Sequence, residues 1–245
     1  MVLSITKTDN YKQIFGNIDG GRILDVACGV GQFIEILQDS LKSWDEIFGL
    51  DVDNRYLNEG RQKFSGDQYR FIKGDSHHIP FPDNIFDLVS ISKGLHHINT
   101  PELTLQEMKR VLKPGGYLVI NEMYSDGLTE SQNSQKMYHH LRVELDKILG
   151  IDHLYTFQKN EIISFVKKLN LSDEKIYEYI ENQSDPMNEA VIKEYSAKMD
   201  SWLDQIKNHK RLDYFKDKIR ELKERFRRVG ITRPPQLVVV GRKPA

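Results

Sequence analysis

The segment Ile23-Leu24-Asp25-Val26-Ala27-Cys28-Gly29-Val30-Gly31-Gln32-Phe33 constrains this chain more than any other. A short apolar run enters a turn of small residues with two glycines, and a helical pattern follows. Small residues let a backbone approach a bound group closely, and such a turn delivers that group to a helix N-terminus. The chain then reaches Ile47-Phe48-Gly49-Leu50-Asp51, a second apolar run that ends in an acid. Asp51 stands about 20 residues beyond the glycines, the distance at which a carboxylate takes ribose hydroxyls in a nucleotide-binding βαβ unit. A dinucleotide fingerprint wants a third glycine, and that position holds Ile34.

Short apolar runs alternate with helical patterns through the first half, the signature of a parallel sheet with helices on both faces. Strands are read at 22–26, 46–51, 69–73, 86–92 and 117–122, and helices at 30–41, 54–64 and 102–112. Thr100 and Pro101 open the third helix as cap and first residue, and Gly115-Gly116 ends it. Beyond Ser125 the pattern changes. Helices are expected over 132–149 and 158–169, and Lys175 to Glu181 alternates with period 2 as a sixth strand. Asp185-Pro186 starts a long helix whose apolar stripe runs through Met187, Val191, Tyr195, Met199, Trp202 and Ile206. A second helix carries Leu212, Phe215, Ile219, Leu222, Phe226 and Val229 on one stripe and closes at Gly230. Each stripe needs a partner, so the two form a hairpin that also rests on the body of the protein.

Several later segments keep the order of one known family. They are Lys73-Gly74-Asp75-Ser76, Lys93-Gly94-Leu95-His96-His97-Ile98 after the fourth strand, Lys113-Pro114-Gly115-Gly116 before the fifth, and Pro235 to Arg242 at the end. In these residues the chain resembles the class I S-adenosylmethionine-dependent methyltransferases, in their small-molecule, methyltransferase-domain-11-like branch. The resemblance implies a Rossmann-like three-layer α/β sandwich. Its sheet would have seven strands, mostly parallel with an antiparallel last strand. It also implies S-adenosyl-L-methionine as cofactor and methyl transfer to a small molecule by in-line displacement. Ala27, Gly29 and Gly31 would pass under the cofactor, with Asp25 supporting the turn. Asp51 would take the ribose hydroxyls beside Val52. Asp75 and Ser76 would meet the adenine edge, and Lys93 would contribute after the fourth strand. His96, Glu122, Tyr124 and His140 are the candidate catalytic residues. Tyr138, His139 and Arg142 share the helix that carries His140.

The family usually joins its last two strands by a short loop, and here about 45 residues intervene. The reading is a single domain, 1–245, with a helical cap at 186–230. The cap is expected to fold over the carboxyl edge of the sheet and wall the acceptor pocket through Tyr195, Met199 and Trp202. The alternative is that this stripe packs on the second cap helix and leaves nothing for substrate.

Composition narrows the function classes. A formal net charge of −1 gives no global attraction to nucleic acid or membrane. The second cap helix holds ten basic residues against four acids between Lys207 and Arg228. Few aromatics lie on its polar face, which speaks against RNA and for a solvated face. The only cysteine, Cys28, excludes an intrachain disulfide and a multi-cysteine metal site. No metal is expected at His96-His97 either, because neighbouring side chains diverge. No signal or spanning pattern is read, so the expected compartment is the cytoplasm, with no membrane partner. Cys28 lies in the turn, not beside an acceptor, which argues against a cysteine-adduct mechanism. The residues after the fourth strand lack the Asn/Asp-Pro-Pro-aromatic motif of amide and adenine nitrogen methylation. Two other classes stay open: a non-catalytic binding module that uses the cap, and a nicotinamide enzyme on a related fold.

Overall fold

Apolar runs with β-branched residues become buried strands where neighbours cover both faces, and the first half of this chain is built that way. A computed structural model describes residues 5–181 and 185–245. Its strands are β1 (Ile5–Thr8), β2 (Arg22–Val26), β3 (Glu46–Asp51), β4 (Tyr69–Lys73), β5 (Phe86–Ser92), β6 (Leu112–Met123), β7 (Ser172–Tyr179) and β8 (Gln236–Arg242). They form one sheet in the order β1-β7-β8-β6-β5-β2-β3-β4. Only β8 runs antiparallel to its neighbours, β6 and β7. The sheet has one strand more than the sequence suggests. β1 is short and largely exposed, so it lacks the apolar run that marks the others.

Helices α1 (Tyr11–Phe15), α2 (Gln32–Ser40) and α3 (Asn54–Lys63) cover one face. Ile14, Phe15, Ile34, Leu37 and Leu57 pack there on Ile23, Ile47 and Val238. Helices α4 (Pro101–Val111) and α6 (Lys159–Lys168) cover the other, where Leu105, Met108, Ile162 and Val166 meet Leu24, Val89 and Ile120. α4 stops at Val111, before Gly115-Gly116, because Leu112 already pairs with Phe86 in the sheet. Thr100 sits at the cap position of α4 without a side-chain capping bond, and Pro101 opens the helix.

Three further helices form a third apolar cluster. They are α5 (Glu130–Ile148), α7 (Glu189–Gln205) and α8 (Leu212–Val229). Thr129 and Gln132 close a reciprocal capping box at the start of α5. The cap of α7 is Asn188, three residues beyond the expected Asp185; its side chain accepts from the N–H groups of Ala190 and Val191. Asp185 instead closes a local turn by accepting from Met187 N. Met199, Trp202 and Ile206 of α7 pack against Phe215, Ile219, Leu222 and Phe226 of α8 and against Leu141 and Leu145 of α5. Most of the α7 stripe is therefore internal to this cluster. The ends of the α7–α8 segment meet where Ile231 N donates to Pro186 O at 3.0 Å. Most basic side chains of α8 hold acids: Lys216 with Asp213, Arg220 with Asp217, Lys223 with Asp200, and Arg225 with Glu130.

Phe215 has no exposed surface and sits at the centre of this cluster. Phe215→Ala should lower unfolding stability by about 3–5 kcal/mol, the range for removing a buried aromatic ring. Urea denaturation followed by circular dichroism measures it. A loss below 1 kcal/mol, roughly that of a surface change, would mean that the three helices do not pack as described.

Candidate active site

In a parallel sheet the carboxyl ends of the strands share one edge, and the crevice opens where successive strands leave in opposite directions. Here β2 lies between β3 and β5, so the turns after these strands converge. Ala27, Gly29 and Gly31 all have positive φ, at 52°, 53° and 83°. Two requirements account for the glycines. A side chain on Gly31 would run into the Phe64 ring at 2.5 Å, so packing demands its absence. A Cβ on Gly29 would meet no atom within 4 Å, so that face of the turn opens onto free space.

Asp51 ends β3 and ties the turn down. Its Oδ2 accepts from Gly29 N at 2.9 Å and its Oδ1 from Asp53 N at 2.9 Å. A carboxylate has about four lone-pair sites, so both oxygens can still accept from a ligand. Val52, next in the chain, is 63% exposed, an apolar side chain held beside the open face. Asp75 accepts from His77 N at 2.9 Å and so caps its own turn. The Ser76 hydroxyl pairs with that of Thr104 at 2.9 Å, which leaves its backbone for any ligand role.

Asp25 is buried in β2, where Ser90 Oγ donates to its Oδ1 at 2.6 Å. Burial pushes its carboxyl up to about 7, the Ser90 bond pulls it down, and Asp51 adds to the rise. Cys28 is also buried, and burial followed by Asp25 and Asp51 pushes its thiol far above the ordinary range. It is no nucleophile. Lys93 follows β5 with φ of 51°, a left-handed conformation that non-glycine residues adopt at a cost. Its N–H donates to Asn121 O at 2.7 Å, and burial lowers the pKa of its ammonium.

Of the four candidate catalytic residues, the structure brings together only His96 and Glu122. Glu122, at the end of β6, has no exposed surface and accepts from His96 Nδ1 at 2.9 Å, Leu95 N at 3.0 Å and Met123 N at 2.9 Å. Tyr124 is turned to β7, where its hydroxyl donates to Glu178 and Lys159 lies over its ring. Burial and then Glu178 push its phenol well above the ordinary range, which disqualifies it as a base near neutral pH. His140 hydrogen-bonds the Thr156 hydroxyl at 2.7 Å and meets the Tyr155 ring edge-on, next in the chain to His139, which faces His96. Burial and Lys136 push it down to about 4. Tyr124 and His140 thus lie apart from the His96–Glu122 pair, because β6 and α5 each have two faces and spacing alone does not say which residues share one.

Two groups at this edge have no counterpart in the sequence reading. Tyr11 of α1 stacks on Tyr179 with ring centroids 3.9 Å apart, and its hydroxyl accepts from Asn121 Nδ2 at 3.3 Å. The other is a gathering of His96, His139 and His153 from three distant segments. Burial, then the neighbouring histidines, push His139 down to about 2 and keep it neutral. An open cavity lined by Asp200, Lys216, Lys223 and Arg227 lies on the outer cap and shares no residue with this edge.

These features define an open α/β protein whose strand-end turns converge on a crevice at the switch point of its sheet. Residues 24–120 match the family described as methyltransferase domain, in keeping with the resemblance to the class I S-adenosylmethionine-dependent methyltransferases. A demethylmenaquinone methyltransferase of Bacillus licheniformis is 39% identical over 115 residues, 46% of this chain and 50% of that protein. The chain thus spans about half the length of the curated relatives it matches. Two solved structures share the fold. The YcgJ protein of Bacillus subtilis has a TM-score of 0.60 at 16% identity, over 96% of each chain. Phosphoethanolamine N-methyltransferase 2 of Haemonchus contortus, in complex with S-adenosyl-L-methionine, has a TM-score of 0.56 at 18% identity, over 95% of this chain and 51% of that one. The open face of Gly29, the spare acceptor capacity of Asp51 and exposed Val52 fit such a cofactor.

The raised Asp25 carboxyl has a consequence for stability. The unfolded chain releases this proton near pH 4, whereas the folded chain keeps it up to about 7. The folded state binds more protons across that window, so this group's contribution to stability falls as pH rises from about 4 to 7. In ligand-free protein, Asp25→Asn should remove a decline of up to about 1.4 kcal/mol per pH unit. Urea denaturation of both proteins between pH 5 and 8 measures it, and parallel profiles would contradict the raised value.

Proposed function

We propose that this chain transfers the methyl group of S-adenosylmethionine to a small-molecule acceptor. The observation that carries the reading is the cradle between Gly29 and Asp51, open above the glycine and bounded by a carboxylate with unused lone pairs. When bound, the cofactor supplies an electrophilic methyl carbon on its sulfonium sulfur. The chain's own part is binding and alignment. The backbone from Ala27 to Gly31 would carry the amino acid tail and ribose. Asp51 would accept the ribose hydroxyls through charge-assisted bonds. Val52 offers an apolar face to the adenine, and Asp75 with the Ser76 backbone would meet its polar edge.

Glu122 holds the β5 turn, with His96 on it, at the rim of the acceptor space. On this reading Tyr11, Asn121 and Lys93 would complete that rim, and helix α5 with the 149–158 loop would cover it. For an in-line displacement, such alignment and dryness are the main contributions a protein can make. The matched segment ends at residue 120, so the acceptor is read from the other half. Demethylmenaquinone, named in the relatives' activity, is the first acceptor to assay. The cytoplasm is the proposed compartment, in keeping with a lone buried thiol. A protein that binds the cofactor and methylates nothing would be the binding-module alternative.

Calorimetry of the purified chain should show binding of S-adenosylmethionine and none of NAD. Asp51→Ala should weaken the first by roughly 1.5–3 kcal/mol, the range for a hydrogen bond to a charged group. Tight NAD binding alone would sink the reading, and unchanged affinity in the variant would remove Asp51 from the ribose.

A further inference from the structure

The fold assembles a histidine cluster that methyl transfer does not require. His96 comes from the short turn Leu95–His97 after β5, His139 from α5, and His153 from the loop between α5 and α6. One ring nitrogen from each lies within 4.8 Å of the others. The loop is held against the turn by Leu154 N, which donates to His96 O at 2.6 Å. The geometry points to a divalent transition-metal site of the zinc class, with His96, His139 and His153 as protein ligands and a fourth position left to a solvent oxygen.

Three observations support it. The first is a separation. His139 Nε2 and His153 Nε2 stand 3.3 Å apart. Two nitrogens at about 2.0–2.1 Å from one tetrahedral ion are separated by about that distance. The His96 nitrogen needs an adjustment of about 1.5 Å at most, within the swing of one imidazole about its side-chain torsions.

The second is the support behind the rings. His153 Nδ1 bonds Asp146 Oδ2 at 2.7 Å, and His96 Nδ1 bonds Glu122 Oε1 at 2.9 Å. Each carboxylate accepts from the Nδ1–H group, which keeps the proton there and leaves the opposite nitrogen as a lone-pair donor. Metal-bound histidines are oriented by carboxylate partners in this way. Both carboxylates are fixed in turn: Asp146 by Arg142 at 2.6 Å, and Glu122 by two backbone N–H groups.

The third is the donor set itself. Three imidazoles without a thiolate or a carboxylate ligand suit zinc and its first-row neighbours. They do not suit magnesium or calcium, which prefer oxygen. Three histidines with a free position also make an open rather than a closed structural site. The expectation of no metal considered only the adjacent pair His96-His97, whereas the proposed site uses one of that pair and takes its other ligands from remote segments. A nitrogen committed to a metal is not free for proton transfer, so on this proposal His96 is a ligand rather than an acid–base group.

Chelator-treated full-length protein titrated with zinc should bind about one ion per chain by calorimetry, retained through desalting as read by elemental analysis. Loading with cobalt(II) should give the intense visible absorption of a four-coordinate ion. His139→Ala and His153→Ala should abolish retention. Asp146→Asn keeps all three ligands and should weaken affinity about 10–100-fold. His78→Ala, outside the cluster, should leave it unchanged. Absence of zinc retention by the folded wild type would overturn the proposal. So would equal retention in folded ligand variants, or a six-coordinate cobalt spectrum. None of these readouts uses methyl transfer, so the site stands or falls separately from the proposed activity.

Discussion

A carboxylate with no exposed surface must be matched by donors, and Glu122 is matched by three. An unpaired buried charge would cost several kcal/mol, so the groups around it are not free to move. Through Leu95 N and His96, the end of β6 fixes the turn after β5. Through His96 O and Leu154 N, that turn fixes the loop after α5. One side chain thus joins the sheet that carries the glycine turn to the helical half that covers it. Removal of the carboxylate would release both sides at once.

The opposite side of the crevice depends on backbone strain of a small and specific kind. Ala27 and Lys93 are non-glycine residues in the left-handed region, at the ends of adjacent strands β2 and β5. Such conformations cost roughly 1–3 kcal/mol and persist where the surroundings determine them. Asp51 holds the first turn through Gly29 N, and Asn121 O holds the second through Lys93 N. Gly94 lies between them, where a Cβ would come within 3.0 Å of Ala27 Cβ. The two turns are therefore packed on each other as well as bonded to their neighbours, which makes a rigid floor for a ligand.

Local pattern carried the parallel half of the fold. The runs Ile23 to Val26, Ile47 to Leu50 and Phe86 to Ser92 are strands because both their faces are covered, and continuous apolar sequence reports that directly. The turn glycines and Asp51 were legible for the same reason: their roles are backbone roles, tied to position in the chain. β1 escaped because an exposed edge strand has no such run. Asn188 escaped because Asp185-Pro186 offers an equally good local start, and only the packing of α7 decides between them. Tyr124 and His140 were misdirected because side-chain direction depends on partners, Glu178 and Thr156, that lie 54 and 16 residues away. The His96, His139 and His153 gathering has no spacing signal at all. Its only trace in the sequence is an excess of histidines around 96–97, 139–140 and 153, which becomes meaningful once three segments meet.

The same logic bears on where selectivity would reside on the proposed reading. The α7 stripe looks from sequence like an acceptor wall, yet Met199 and Trp202 are buried against α8 and α5. The basic face of α8 is largely paired with acids, some of them on α5 and α7. The α7–α8 hairpin therefore acts on the crevice through α5, which it braces from behind, as Arg225 does at Glu130 and Ser134. The surface that α5 turns toward the sheet carries His139, and the loop that follows it carries His153. At the end of the same strand as Glu122, Asn121 is tied to Tyr11 across 110 residues. Substitutions at these positions change the crevice itself, whereas substitutions along the α7 stripe change its support. A change in acceptor preference without loss of stability thus belongs to the first group, and a change in stability with preference intact belongs to the second.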